Sequence, residues 1–191
     1  MKAHQRGKAS TLALFGLTAL LAWGALGLPR AQARRGSSTE QANKAVVRRF
    51  FEEIFNQGNL AAVAELGAPA LVDHWPGPLS TPAGTSPLDR IRHAATLQRT
   101  AWPDLHYTVE DEIAEGDRVA VRYIRRGTQK GEIPNTPFGT IPPTGKEVTV
   151  TGIDLVRLVN GKIAEVWHTP DALGFFQQLG VIRPTRASTV R

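Results

Sequence analysis

Asp154 and His168, two side chains able to move protons, stand on neighbouring apolar segments of this sequence. Val148, Val150, Val156 and Leu158 recur at the two-residue period of one strand face, and Asp154 falls on that face. A carboxylate among branched aliphatic side chains is costly unless a cation or a donor meets it. The return segment Ile163 to Thr169 puts Val166 and His168 on one face, and the Asn160-Gly161 pair between the segments suits the positive backbone angles of a tight hairpin. Asp154 and His168 are therefore expected to meet across two antiparallel strands. A carboxylate against an imidazole can orient the ring, favour its charged form and let it exchange a proton with a substrate. The expected roles are His168 as proton exchanger and Asp154 as its support, with Asp154 as the base kept open. A purely structural ion pair is the alternative.

A second polar cluster, Asp73-His74-Trp75, closes the apolar run Ala70-Leu71-Val72 and precedes a Pro/Gly/Ser/Thr-rich stretch, Pro76 to Pro87, long enough to act as a lid. Asp73, His74 and Trp75 are candidate substrate contacts at a pocket rim, where an aromatic ring meets a flat ligand. A surface turn with Trp75 over the core is the competing reading. Tyr107 and Tyr123 are candidate donors to an enolate oxygen, with aromatic packing as the alternative. Asp171 is expected to cap a helix over Ala172 to Leu179 and to lie near the site. His and carboxylate residues occur without HxxxH or HxH spacing, so no metal site is expected, and the absence of a Gly-rich phosphate loop and of a Gly-x-Ser-x-Gly elbow argues against nucleotide and serine-hydrolase readings. The chain has no cysteine, which excludes thiol catalysis and thiolate zinc.

The elements that must position these groups follow from periodicity. Ser37-Ser38-Thr39-Glu40-Gln41 offers two overlapping capping boxes, and Val46, Val47, Phe50, Phe51, Ile54 and Phe55 recur at helical spacing through Asn56. Asn59 is expected to cap a second helix, Leu60 to Leu66, and Ser86 with Pro87 a third, Leu88 to Thr100. Strands are predicted over Leu105 to Ile113 and Arg118 to Thr128, paired through a turn at Glu115-Gly116-Asp117. The Pro-rich segment Gln129 to Gly145 is expected to be a long loop. Helices first and antiparallel strands second make an α+β layout.

With 41% hydrophobic and 21% charged residues in 191, the chain suits one globular domain. Its N-terminus is different in kind. Lys2, Arg6 and Lys8 precede the apolar run Leu12 to Leu28, and Ala31-Gln32-Ala33 supplies a small-x-small cleavage pattern, so residues 1–33 are expected to be a secretory signal peptide and the protein secreted or periplasmic. A retained membrane anchor is the alternative; after cleavage no membrane contact is expected. Four of the 23 basic residues lie in that leader, leaving 19 against 17 acidic, a balance too even for a nucleic-acid surface. Residues 34–42 are expected to be a linker and first helix cap, and 181–191 a mobile C-terminal tail.

Four stretches carry a family resemblance: VRRFFEEIFNQGNLAAVAEL, LVDHW, WPDLHYTVEDEIAEGDRVAVRY and PPTGKEVTVTGIDLVRLVNGKIAEVWHTPDALGFFQQLG. Over 43–180 the chain resembles the SnoaL-like polyketide cyclases (ester cyclases) of the nuclear transport factor 2-like superfamily. The resemblance implies a cone-shaped barrel of a strongly curved, mainly antiparallel sheet closed by N-terminal helices. It also implies a small hydrophobic substrate, a likeness to homodimers, and cofactor-independent ring closure by intramolecular aldol chemistry with a carboxylate as acid and base. On the aligned motif the family's catalytic Asp falls on His168 and a pocket His falls on Asp154, so the two residue types are exchanged. Asp73 falls on a pocket Asn, and Asp171 matches an Asp before the last helix. The expected function is an exported ester cyclase acting by general acid-base catalysis on an enolisable hydrophobic molecule; the alternative is a non-catalytic module of the same fold that binds a small hydrophobe or dimerises.

Overall fold

The computed structural model describes residues 37–74, 81 and 83–183. The expected leader, Trp75, half of the proposed lid and the tail beyond residue 183 lie outside the described residues, all of which belong to the unit Arg35–Arg191.

Helix α1, Ser38–Arg49, opens on one of the two capping boxes: the Ser37 hydroxyl accepts from the Glu40 amide at 3.2 Å, and the Glu40 carboxylate accepts from the Ser37 amide at 2.6 Å. It runs directly into a π-helical stretch, Phe50–Asn56, rather than staying α-helical throughout. The wider π turn narrows the arc from which Phe50, Phe51, Ile54 and Phe55 project, so all four are buried together. Helix α2, Ala62–Leu66, carries no side-chain cap. Asn59 does not cap it as expected; its backbone carbonyl accepts from the Ala62 amide at 3.2 Å, and successive tight turns from there satisfy the first amides. Helix α3, Pro87–Ala101, follows the predicted Ser86 cap, whose hydroxyl accepts from the Asp89 amide at 3.1 Å.

Strands β1 (Gly67–Asp73), β2 (His106–Glu115), β3 (Arg118–Thr128), β6 (Glu147–Val159) and β7 (Lys162–Pro170) form one sheet in the order β1-β7-β6-β3-β2. All pairs are antiparallel except β1 with β7. The sheet is not closed by hydrogen bonds; β1 and β2 are its edges, and the helices cover its concave face. The architecture is thus mixed α+β with a mainly antiparallel curved sheet.

The segment predicted as a loop contains a small hairpin instead, β4 (Ile133–Thr136) with β5 (Gly139–Ile141). It is pinned by the buried Gln129, whose amide nitrogen donates to the Gly131 and Pro142 carbonyls at 2.8 and 2.9 Å. Its oxygen accepts from the Thr144 amide and hydroxyl at 2.8 and 2.5 Å. One side chain therefore does for this Pro-rich segment what strand ladders do elsewhere. Helix α4, Ala172–Leu179, ends the fold; Asp171 caps it, accepting from the Gly174 amide at 2.8 Å, and Gly180 closes it at φ 81°.

The core lies between helix and sheet. Val47 and Ile54 from the first helical run meet Val119, Val121, Val150, Val166 and Ile163 from the sheet, all at most 2% exposed. Each such side chain contributes roughly 1.5–3 kcal/mol on burial. That apolar wall is what Asp154 interrupts.

Candidate active site

Strand alternation brings Asp154 and His168 together. The two are direct cross-strand partners in the β6–β7 ladder, on the concave face shared by Val150, Val156 and Val166. Asp154 is 2% exposed, and its Oδ2 accepts from Nδ1 of His168 at 2.8 Å. On the other side of the ring, Nε2 lies 3.4 Å from Oδ1 of Asp73. The imidazole is therefore held between two carboxylates, one buried and one half-exposed.

Asp73 reaches this position because β1 runs parallel to β7, with Asp73 paired to Val166. Alternation along β1 puts Asp73 on the side of the buried Leu71, within reach of the His168 ring, and Val72 and His74 on the other side. Burial by itself would lower the pKa of His168, but hydrogen bonds to Asp154 and Asp73, with their charges, outweigh it and push it up to about 10. The ring is an imidazolium at neutral pH.

Tyr123 stands beside this group. Its β3 backbone pairs with Gly152 of β6, and a Cβ at Gly152 would lie 2.4 Å from the Tyr123 hydroxyl oxygen. The glycine is the notch that seats the phenol. Burial, then the charges of Asp154 and Tyr107, raises the Tyr123 pKa, so the phenol stays protonated. Oδ1 of Asp154 is buried and has no hydrogen-bond partner among the described residues. Gly152 was not singled out from sequence, although a glycine inside a strand signals a close approach.

The other expected contacts are placed elsewhere. His74 lies on the outer face, stacked on Trp167 with ring centroids 4.5 Å apart and 3.0 Å from Glu165. Asp171 is engaged as the α4 cap. On the concave side of the sheet, Phe51, Tyr107 and Tyr123 pack with ring centroids 5.3 to 5.4 Å apart. Two hollows among the described residues, of about 280 and 220 Å³, are lined by other residues than Asp73, Asp154 and His168. No group of three or more His, Asp or Glu among the described residues is arranged to hold a metal ion.

Comparison with known proteins agrees with this architecture. The profile of the SnoaL-like polyketide cyclases matches residues 45–179. The structure of IdmH from Streptomyces antibioticus is 31% identical, covers 72% of this chain and 98% of its own, and superposes with a TM-score of 0.60. TsrD from Streptomyces laurentii is 25% identical over 74% of this chain and 97% of its own, with a TM-score of 0.63. A SnoaL-like protein from Jannaschia sp. CCS1, 24% identical over 77% of this chain and 97% of its own, shares the fold at a TM-score of 0.63. No curated protein matches the chain. Proteins of this type bind small hydrophobic substrates, and the match supports a cyclase or isomerase type of function. The chain belongs to the SnoaL-like polyketide cyclase family.

Proposed function

We propose that the protein is an exported, cofactor-independent ester cyclase in which Asp73, His168 and Asp154 form an acid-base relay. The observation that carries the reading is the His168 ring held between the buried Asp154 at 2.8 Å and Asp73 at 3.4 Å. Asp154 fixes the ring through Nδ1 and keeps it cationic. Nε2–H is then the donor for a substrate carbonyl oxygen, and Asp73, displaced from it, is the base beside the same carbonyl.

Asp73 removes the α-proton, and the C–H electron pair becomes the enolate, whose oxygen His168 stabilises. The enolate carbon attacks a second carbonyl in the same molecule, forming one C–C bond. The resulting alkoxide takes a proton from His168, and the proton held by Asp73 returns to the ring, so the net change is an isomerisation. Tyr123 is a further donor at the same face.

The test needs no natural substrate. Exchange of the α-protons of enolisable aromatic β-keto esters into D2O, followed by NMR, should be accelerated by the protein and lost in Asp154→Asn and His168→Ala variants that still fold. Full exchange activity in either variant removes that residue from the relay.

A second reading, a binding or dimerisation module, draws support from the aromatic side chains packed on the concave side of the sheet. Dimerisation through the outer sheet face draws support from Val72, Ile113 and Ile153, which are 46%, 68% and 53% exposed there. An Ile153→Glu variant that leaves a dimer intact in solution rules that face out. Export rests on the basic and apolar pattern of residues 1–33; an intact leader on the protein recovered outside the cytoplasm overturns cleavage.

A further inference from the structure

Arg125 occupies a position that the relay does not explain. It lies on β3 two residues from Tyr123, so alternation puts it on the concave face, where its backbone pairs with Tyr107 on one side and Val150 on the other. It is only partly exposed. Its guanidinium carbon sits 5.3 Å from the ring centroid of Trp102 and 5.4 Å from that of Phe175, two rings that are themselves in contact at 5.8 Å.

A guanidinium held over aromatic rings by cation–π attraction still needs acceptors for its N–H groups. The acceptor found there is slight: Nη1 lies 3.4 Å from Oε1 of Gln98, an oxygen already taken by the Tyr107 hydroxyl at 2.7 Å. No carboxylate among the described residues forms an ion pair with Arg125. An independent observation points the same way. Trp102 is 4% exposed, and its indole N–H is buried with no acceptor among the described residues. Buried donors without acceptors are uncommon enough to require a reason. Here two donor groups adjoin, one a cation with no carboxylate beside it and the other a buried N–H with no acceptor among the described residues.

We propose that Arg125 and Trp102 form an anion subsite on the concave face that takes the carboxylate of a small apolar acid. The edge of the guanidinium suits two parallel hydrogen bonds to a carboxylate, and the indole supplies a third donor beside it. The apolar remainder of the ligand would lie against the aromatic side chains of Phe175 and Trp102. Tyr123 links the subsite to the relay, since its hydroxyl is acted on by the charges of both Asp154 and Arg125. The subsite deepens the proposed cyclase by naming its substrate class, a carboxylate-bearing carbonyl compound, and rests on that reading only for turnover; binding of the acid does not depend on it.

The experiment compares benzoate with benzamide, and phenylacetate with phenylacetamide, by NMR titration of the isotope-labelled full chain, read at the Trp102 indole N–H. A charge-assisted pair predicts that each acid binds roughly ten- to a hundredfold more tightly than its amide. Arg125→Met should abolish that preference, and Trp102→Phe, which keeps a ring under Arg125 but removes the N–H, should reduce it several-fold. If Arg125→Met does not fold, the wild-type preference and the Trp102→Phe variant decide.

Equal affinity for acid and amide overturns the subsite. So does the absence of acid binding at millimolar concentration, or a preference that survives in Arg125→Met. A role for Arg125 in packing alone would lower thermal stability in Arg125→Met without any acid preference in the wild type. The same titration on Asp154→Asn should retain the preference, so an inactive relay and an absent subsite give different results.

Discussion

Replacing His168 with glutamine tests the charge state on which the relay depends. The folded pKa of His168 is raised to about 10 from an ordinary value of 6.5. A raised histidine stabilises the fold fully below the unfolded value and loses that contribution as pH climbs towards the folded one. Across the window from pH 6.5 to about 10, the advantage of wild type over His168→Gln should therefore fall. The ceiling on the slope is about 1.4 kcal/mol per pH unit, or roughly 3 kcal/mol between pH 7 and pH 9. The ring is 24% exposed, and solvent screening brings the figure below that ceiling.

Urea denaturation of both proteins at several pH values measures the difference directly. Taking the difference cancels the titration of groups common to both proteins. An NMR titration of the imidazole in the folded protein gives the pKa independently. A ring that titrates near 6.5, or a stability difference flat from pH 7 to pH 9, would refute the argument that two carboxylates hold His168 cationic. His168 would then be neutral at pH 7 and available as a base, reversing its role in the relay.

Three further outcomes follow from the packing. Gly152→Ala places a methyl carbon 2.4 Å from the Tyr123 hydroxyl oxygen, and overpacking of this kind should cost roughly 1–3 kcal/mol in chemical denaturation, with displacement of Tyr123 visible in its ring NMR signals. Gln129→Ala leaves the Gly131 and Pro142 carbonyls and the Thr144 amide without their partner, so it should lose roughly 2–4 kcal/mol and expose 129–145 to protease. Asp171→Ala removes the α4 cap and should cost about 1 kcal/mol, read as a lowered melting temperature without loss of α-proton exchange.

Asp154 and His168 were legible in the sequence because both lie in a local hairpin, where a two-residue period and an Asn-Gly turn fix which faces meet. Asp73 was legible as a polar residue of interest but not as the partner of His168. Its place depends on a parallel pairing of β1 with β7, and no local period encodes which distant strand lies alongside. The same alternation that brings Asp73 to His168 sends His74 to Trp167, so these two adjacent residues do not share a face. Trp75 lies outside the described residues.

Arg125 carried the signal that Asp154 carried, a charge on the face shared by Val121 and Tyr123, and the period-two rule applied to β3 would have marked it. The β4–β5 hairpin was hidden because its prolines argue against strand and its order rests on Gln129, a buried amide that looks like any surface glutamine in sequence. The π-helical stretch was hidden as well, since α and π spacings both place Phe50, Phe51, Ile54 and Phe55 on one side.

The parallel seating of β1 on β7 also fixes when the site can exist. Asp154 and His168 belong to one hairpin, whose closure involves a short loop and is fast on the scale of microseconds. Asp73 is made early in synthesis and must wait, because the strand it pairs with is the last of the sheet to emerge. Until then β1 has no ladder, and the growing chain carries an unpaired apolar edge. Pairing between such distant segments is slow because the loop entropy is lost before any contact forms. The three-residue site is thus complete only once β1 has paired with β7, and a chain in which that pairing has not formed holds the hairpin's aspartate and histidine without the second carboxylate.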